Sequence, residues 1–141
     1  MNRLSGCCHC GKIRLEVSLA QALAAYAPRA CDCSFCRKHG AAYVSDPAGE
    51  MRVLIADPRV LVRYRQGSGQ AEFLICGDCG VLMAVCCEDQ GRRFGAVNAM
   101  VLDQVAGFAA AVVASPQKLG AEDKRGRWKS LWFPKVSVET P

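Results

Sequence analysis

Residues 12–18 alternate strictly, with Ile13, Leu15 and Val17 on one side and Lys12, Arg14, Glu16 and Ser18 on the other. Successive side chains of an extended chain point to opposite faces, so this period of two predicts a half-buried β-strand. Further apolar or alternating runs predict strands at 51–56, 59–65, 71–75, 81–87 and 93–99. Turn-forming stretches, "DP", "QGSG", "GDCG" and "EDQG", separate most of these runs. Connections that short join antiparallel neighbours. Two alanine-rich stretches, 20–27 and 103–114, are candidate helices, the second weakened by β-branched residues and Gly107. The segment "LGAEDKRGR" (119–127) reads as an exposed loop ahead of "WKSLWF", and no internal repeat or low-complexity tract interrupts the chain. The pattern predicts a mainly β fold of short strands in one domain spanning 1–141.

Composition changes this picture in one respect. The chain has 141 residues, 51% of them hydrophobic, enough for a real core, and it also carries ten cysteines. A chain with that much apolar material does not depend on disulfides, so the thiols point to chemistry rather than to covalent staples. The start, "MNRLSGCCHCGK", has no apolar signal-peptide core, and the longest apolar run, "AGFAAAVVA" (106–114), is too short to cross a bilayer. The expectation is a cytoplasmic protein with no membrane partner, where closely spaced cysteines bind metal more often than they form lasting disulfides. The net charge of +5 suits anionic ligands. It lacks the density of a nucleic-acid arm, and the "KRGR" patch at 124–127 reads as solvated.

The cysteines fall at strand ends. Cys8 and Cys10 form a Cys-x-Cys just before the first predicted strand, and Cys76 and Cys79 form a Cys-x-x-Cys knuckle, "CGDCG", between two others. Zinc takes four ligands in a tetrahedron, and a tight turn presenting two thiolates supplies half of that set, so strand pairing can bring the halves together as a closed four-cysteine site. Gly77 and Gly80 suit the sharp bend of such a knuckle. The segment "CDCSFCRKHGA" (31–41) differs, because Cys31, Cys33 and Cys36 offer three ligands from one loop. A fourth position left open is what a catalytic zinc needs. Two other arrangements fit the spacing: Cys86 or Cys87 completing that set, or Cys33 and Cys36 joining Cys76 and Cys79 as a zinc ribbon.

Taken together, "GCCHCGKIRLEV", "CDCSFCRKHGA" and "ICGDCGVLM" resemble the three signatures of the glutathione-dependent formaldehyde-activating enzyme family, which also includes centromere protein V. The resemblance runs from residue 6 to about 83, in order and with similar gaps. It implies a β-tent fold, a structural zinc on Cys8, Cys10, Cys76 and Cys79, and a second zinc on Cys31, Cys33 and Cys36. It further implies a carbon–sulfur lyase-like activity that joins formaldehyde to glutathione as S-hydroxymethylglutathione or reverses that step. Against the family pattern, this chain has Trp128 and Trp132 near its end but no histidine after His39, and Cys7, Cys86 and Cys87 are additional thiols.

The polar neighbours complete the expectation. His39 is close enough to Cys36 to carry a proton or act as a fourth ligand. His9, between two ligands in an extended turn, should point away and have no role. Arg37 and Lys38 are candidates for attracting the carboxylates of a peptide thiol such as glutathione. Two function classes follow: a zinc-dependent enzyme acting on a thiol–aldehyde adduct, or a non-catalytic zinc module whose two sites shape a surface for a protein or nucleic-acid partner. A thiol that binds at the open metal separates them.

Overall fold

A computed structural model describes residues 1–140, apart from the side chain of Gln117. Its strands, in chain order, are β1 (Asn2–Cys7), β2 (Ile13–Leu19), β3 (Arg29–Cys31), β4 (Ala42–Val44), β5 (Glu50–Ile55), β6 (Leu61–Tyr64), β7 (Ala71–Cys76), β8 (Leu82–Asp89), β9 (Arg92–Asn98), β10 (Val112–Ala114) and β11 (Lys135–Glu139). Two α-helices accompany them, α1 (Ser34–His39) and α2 (Ala121–Leu131). The fold is mainly β, as the periodicity predicts. Its strands form a four-stranded sheet in the order β1-β2-β5-β11 and a seven-stranded sheet in the order β10-β3-β4-β9-β8-β7-β6.

Alternation decides what each strand buries. Ile13, Leu15, Val17 and Leu19 of β2 are at most 2% exposed, and they pack with Met51 and Val53 of β5 against Leu74, Met83 and Val97 of the larger sheet. β8 is buried on both faces: Ala84 and Cys86 join this first core, while Val85 and Cys87 join a second with Tyr43, Phe73, Trp128 and Trp132. The seven-stranded sheet therefore separates two cores, the second of them closed by α2.

Two pairings depart from the antiparallel expectation. β10 runs parallel to β3, and β11 runs parallel to β5. Short turns dictate antiparallel pairing only for strands consecutive in the chain, whereas long connections let a late strand join either way. The candidate helix at 20–27 is a single 3-10 turn, Leu23–Ala25, because Pro28 disfavours helical geometry just before it. The stretch 103–114 likewise holds a 3-10 turn, Val105–Gly107, and then β10, where Val112 and Val113 follow their β preference.

The reverse error falls at 119–127, expected as a loop and found largely within α2. Glu122 and Asp123 in its first turn and Lys129 in its last complement the helix dipole. Gly126 lies inside the helix, exposed, and a Cβ there would meet nothing within 4 Å. Glycine at such a position costs about 0.5–1 kcal/mol relative to alanine. Gly126→Ala should therefore stabilise the protein by about that amount, read as a higher midpoint in thermal or denaturant unfolding. An unchanged or lowered midpoint would contradict α2 as a continuous helix.

Candidate metal centres and the cavity beside them

The turn after β1 and the knuckle after β7 meet. The sulfurs of Cys8, Cys10, Cys76 and Cys79 all lie within 4.8 Å of one another, with Cys8–Cys10 and Cys10–Cys76 at 3.6 Å. A tetrahedron with metal–sulfur bonds of about 2.3 Å has sulfurs about 3.8 Å apart, so the set has the dimensions of a closed zinc site. The backbone shapes both halves. Ile13 N–H donates to Cys8 Sγ at 3.3 Å, and Gly80 N–H closes the knuckle onto the Cys76 carbonyl at 2.7 Å with a positive φ of 79°. Lys12 and Asp78 pair across the two turns. At Cys79, desolvation opposes the thiolate, but hydrogen bonds from the backbone N–H groups of Cys10 and Val81 outweigh it, and the thiol falls to about 6.

Cys31, Cys33 and Cys36 form a second group within the same limit. Cys31 ends β3, and Cys33 caps α1, its sulfur accepting from Cys36 N–H at 3.3 Å. Cys36 is buried and shares a 3.2 Å hydrogen bond with the Tyr43 hydroxyl. A hydrogen bond from Cys36 lowers Cys31 to about 6 against the effect of burial, while the same contact and burial push Cys36 up. The two groups are separate, so Cys33 and Cys36 do not join Cys76 and Cys79 as a ribbon. Cys86 and Cys87 do not complete the second group either. Both are core thiols that burial raises, to about 12 and about 11. All ten cysteines are free, and three thiols with no fourth protein sulfur could hold a metal with a position left for another ligand.

This second group lies in the wall of a cavity of about 120 Å³. Arg29, Lys124 and Arg127 line the same cavity, and none of them appears in an ion pair among the described residues. Arg29 donates to Ser45 Oγ at 2.7 Å, and Ser45 donates in turn to the Leu131 carbonyl at 2.7 Å, which anchors the end of α2 beside β3 and β4. Burial first, and then the nearby Arg127 guanidinium, pull Arg29 down to about 10. Arg37, Lys38 and His39, the polar candidates in the sequence, are exposed and line no part of this cavity; His39 instead rests on the Phe35 ring at 4.7 Å. His9 is exposed, on the turn between two thiols.

Sequence reasoning missed the cations, although the signal was present. Arg29 is two residues before Cys31 in a strand, hence on the same face. Lys124, Arg127 and Trp128 follow helical i, i+3, i+4 spacing, which is invisible while the segment is read as a loop.

The strand ends of this mainly β chain gather thiols into one group of four and one of three, the latter beside a cationic cavity, and each group could hold a metal on sulfur. The chain belongs to the glutathione-dependent formaldehyde-activating enzyme family, whose profile matches residues 3–116. The crystal structure of a Rhodobacter sphaeroides protein, a structural-genomics target, shares the fold with a TM-score of 0.55 and 24% identity, over 96% of this chain and 99% of that one. No curated protein sequence matches this chain. No helix among the described residues is long and apolar enough to cross a membrane. The family match ends before α2 begins.

Proposed function

We propose that this chain is a zinc-dependent enzyme acting on a thiol–aldehyde adduct, a carbon–sulfur lyase-like activity resembling the synthesis of S-hydroxymethylglutathione from formaldehyde and glutathione. The observation that carries this reading is the meeting of three thiols and three unpaired cations in one cavity. Half-buried cations without a carboxylate are costly to desolvate, and an anionic ligand offsets that cost. Glutathione is a thiol with a net negative charge, so the sulfur and the carboxylates each find a complement. The proposal includes two zinc ions per chain, one structural on Cys8, Cys10, Cys76 and Cys79 and one on Cys31, Cys33 and Cys36. Zinc held by these three residues supplies Lewis acidity that favours the thiolate form of an incoming thiol.

The remaining work falls to the protein. Arg29, Lys124 and Arg127 orient the anionic thiol so that its sulfur faces the three cysteines. Apolar walls exclude water, which strengthens each of these charge interactions. In the forward direction sulfur attacks the carbonyl carbon, the carbon–oxygen π bond breaks, and the proton released by the thiol ends on oxygen. No oxidant or reductant is involved. A reducing setting such as the cytoplasm suits ten unpaired cysteines.

Exchange between free formaldehyde and S-hydroxymethylglutathione, followed by NMR exchange spectroscopy on zinc-supplemented protein, tests the proposal. The expected result is exchange well above the uncatalysed rate. Cys33→Ser should lose about a hundredfold or more, since even substitutions one shell beyond a metal's ligands cost ~10–100-fold. Absence of acceleration in protein carrying both metals would instead favour the non-catalytic zinc module.

A further inference from the structure

The cations account for one part of the cavity. Gln66, Ser68 and Tyr43 add polar atoms, and Ala71, Phe73, Val85, Trp128 and Trp132 give it an apolar side. Trp128 and Trp132, one helical turn apart, stack with ring centroids 4.8 Å apart and planes 14° from parallel, and both indoles border the cavity. Phe73 lines the cavity too and belongs to the same core cluster, its ring 4.6 Å from Phe35.

Formaldehyde has one carbon and no substituent, so it occupies little more room than a water molecule, about 30 Å³. The cavity of about 120 Å³ is several times larger, although it also takes the sulfur end of the thiol. Engineered apolar cavities of about 150 Å³ accept benzene. Beyond excluding water, aromatic and aliphatic surface of this extent adds little contact with a one-carbon carbonyl, whereas it favours a ring by burying it and by stacking. The two indoles lie in the C-terminal part of the chain. Trp128 belongs to α2 and Trp132 follows it, both outside the residues 3–116 that match the family profile.

We propose that the carbonyl compound handled here carries an apolar, ring-sized substituent, which the Trp128–Trp132 pair and Phe73 receive, while the thiol partner is held by the cations. This inference rests on the thiol–aldehyde reading and adds the class of aldehyde to it. The bonds change as before: carbon–sulfur forms, the carbonyl π bond breaks, and the thiol proton passes to oxygen, with the substituent unaltered.

The test compares two aldehydes on the zinc-loaded full chain with glutathione. NMR exchange spectroscopy gives the rate of hemithioacetal formation and breakdown for formaldehyde and for phenylacetaldehyde, each divided by its own uncatalysed rate. The expected acceleration is at least about tenfold greater for phenylacetaldehyde, the discrimination that even small differences in apolar contact supply. Trp132→Ala should shift the ratio toward formaldehyde by a similar factor. Trp132→Phe, which keeps a ring in the core, is the substitute if the alanine variant does not fold.

A binding measurement needs no turnover. By calorimetry S-benzylglutathione should bind the wild type about tenfold more tightly than S-methylglutathione, one good apolar contact's worth of selectivity. An acceleration for formaldehyde equal to or above that for phenylacetaldehyde, or equal binding of the two thioethers, would overturn the inference and leave the thiol–aldehyde reading intact. Absence of acceleration with either aldehyde would overturn both.

Discussion

Cys76→Ser should leave little or no folded protein, and Cys10→Ser should do the same, whereas Cys33→Ser should unfold cooperatively near the wild-type midpoint. The four-cysteine group joins the turn that leads from β1 into β2, in the smaller sheet, to the knuckle that ends β7 in the larger one. Cys8 and Cys76 are 2% and 0% exposed, so the group is part of the first core rather than an attachment to it. On the proposed assignment, zinc there contributes on the order of 10 kcal/mol or more to folding. The whole stability of a domain is typically about 5–15 kcal/mol. Losing one ligand therefore removes most of what keeps the chain folded.

The three-cysteine group is placed differently. Its residues come from β3, the cap of α1 and α1 itself, and they border a cavity, so losing that metal costs affinity and activity more than fold. Thermal unfolding of the three variants, with zinc supplied throughout, is the measurement. Elemental analysis should accompany it, with two zinc ions per chain expected in the wild type and one in Cys33→Ser. Equal destabilisation by all three substitutions, or one zinc per chain in the wild type, would contradict the division into a structural and an open site.

The strands read from apolar or alternating runs fall within a residue or two of their observed ends, whereas β1 (Asn2–Cys7) and β11 (Lys135–Glu139) were missed. β2 is predicted at 12–18 and observed at Ile13–Leu19, and β8 is predicted at 81–87 and observed at Leu82–Asp89. Strands of three residues were not legible, because β3, β4 and β10 are too short for an alternation to declare itself. Both thiol groups were legible as sets because their members fall two or three residues apart within single turns, the spacing that suits metal ligation. The cationic and aromatic parts of the cavity obey no such local rule. Arg29 and α2 are joined through Ser45 across the fold. α2 was hidden as well, because Gly126 and its many charges resemble a loop until Trp128 and Leu131 are seen to share a helical face.

Arg127→Ala should raise the KM for glutathione adducts by about tenfold, and Lys124→Ala with Arg127→Ala by about a hundredfold, with a smaller fall in kcat. A hydrogen bond to a charged group is worth ~1.5–3 kcal/mol, and 1.4 kcal/mol is a factor of ten in affinity. The effect belongs to the thiol's carboxylates, so with 2-mercaptoethanol, which carries none, the loss should be much smaller. Raised salt should weaken glutathione use in the wild type and weaken it less in the double variant, because screening acts on the charges the substitutions remove. The cavity geometry gives this expectation its direction. Arg29 and Arg127 line one cavity whose lining residues include no carboxylate, and Arg29 stays charged there despite its burial. A ligand carboxylate relieves that repulsion and the desolvation together, while neutral thiols relieve neither. Kinetics for the two thiols, measured in parallel at low and high salt, decide the matter: equal losses for both would mean that α2 supports the cavity's shape rather than recognising charge.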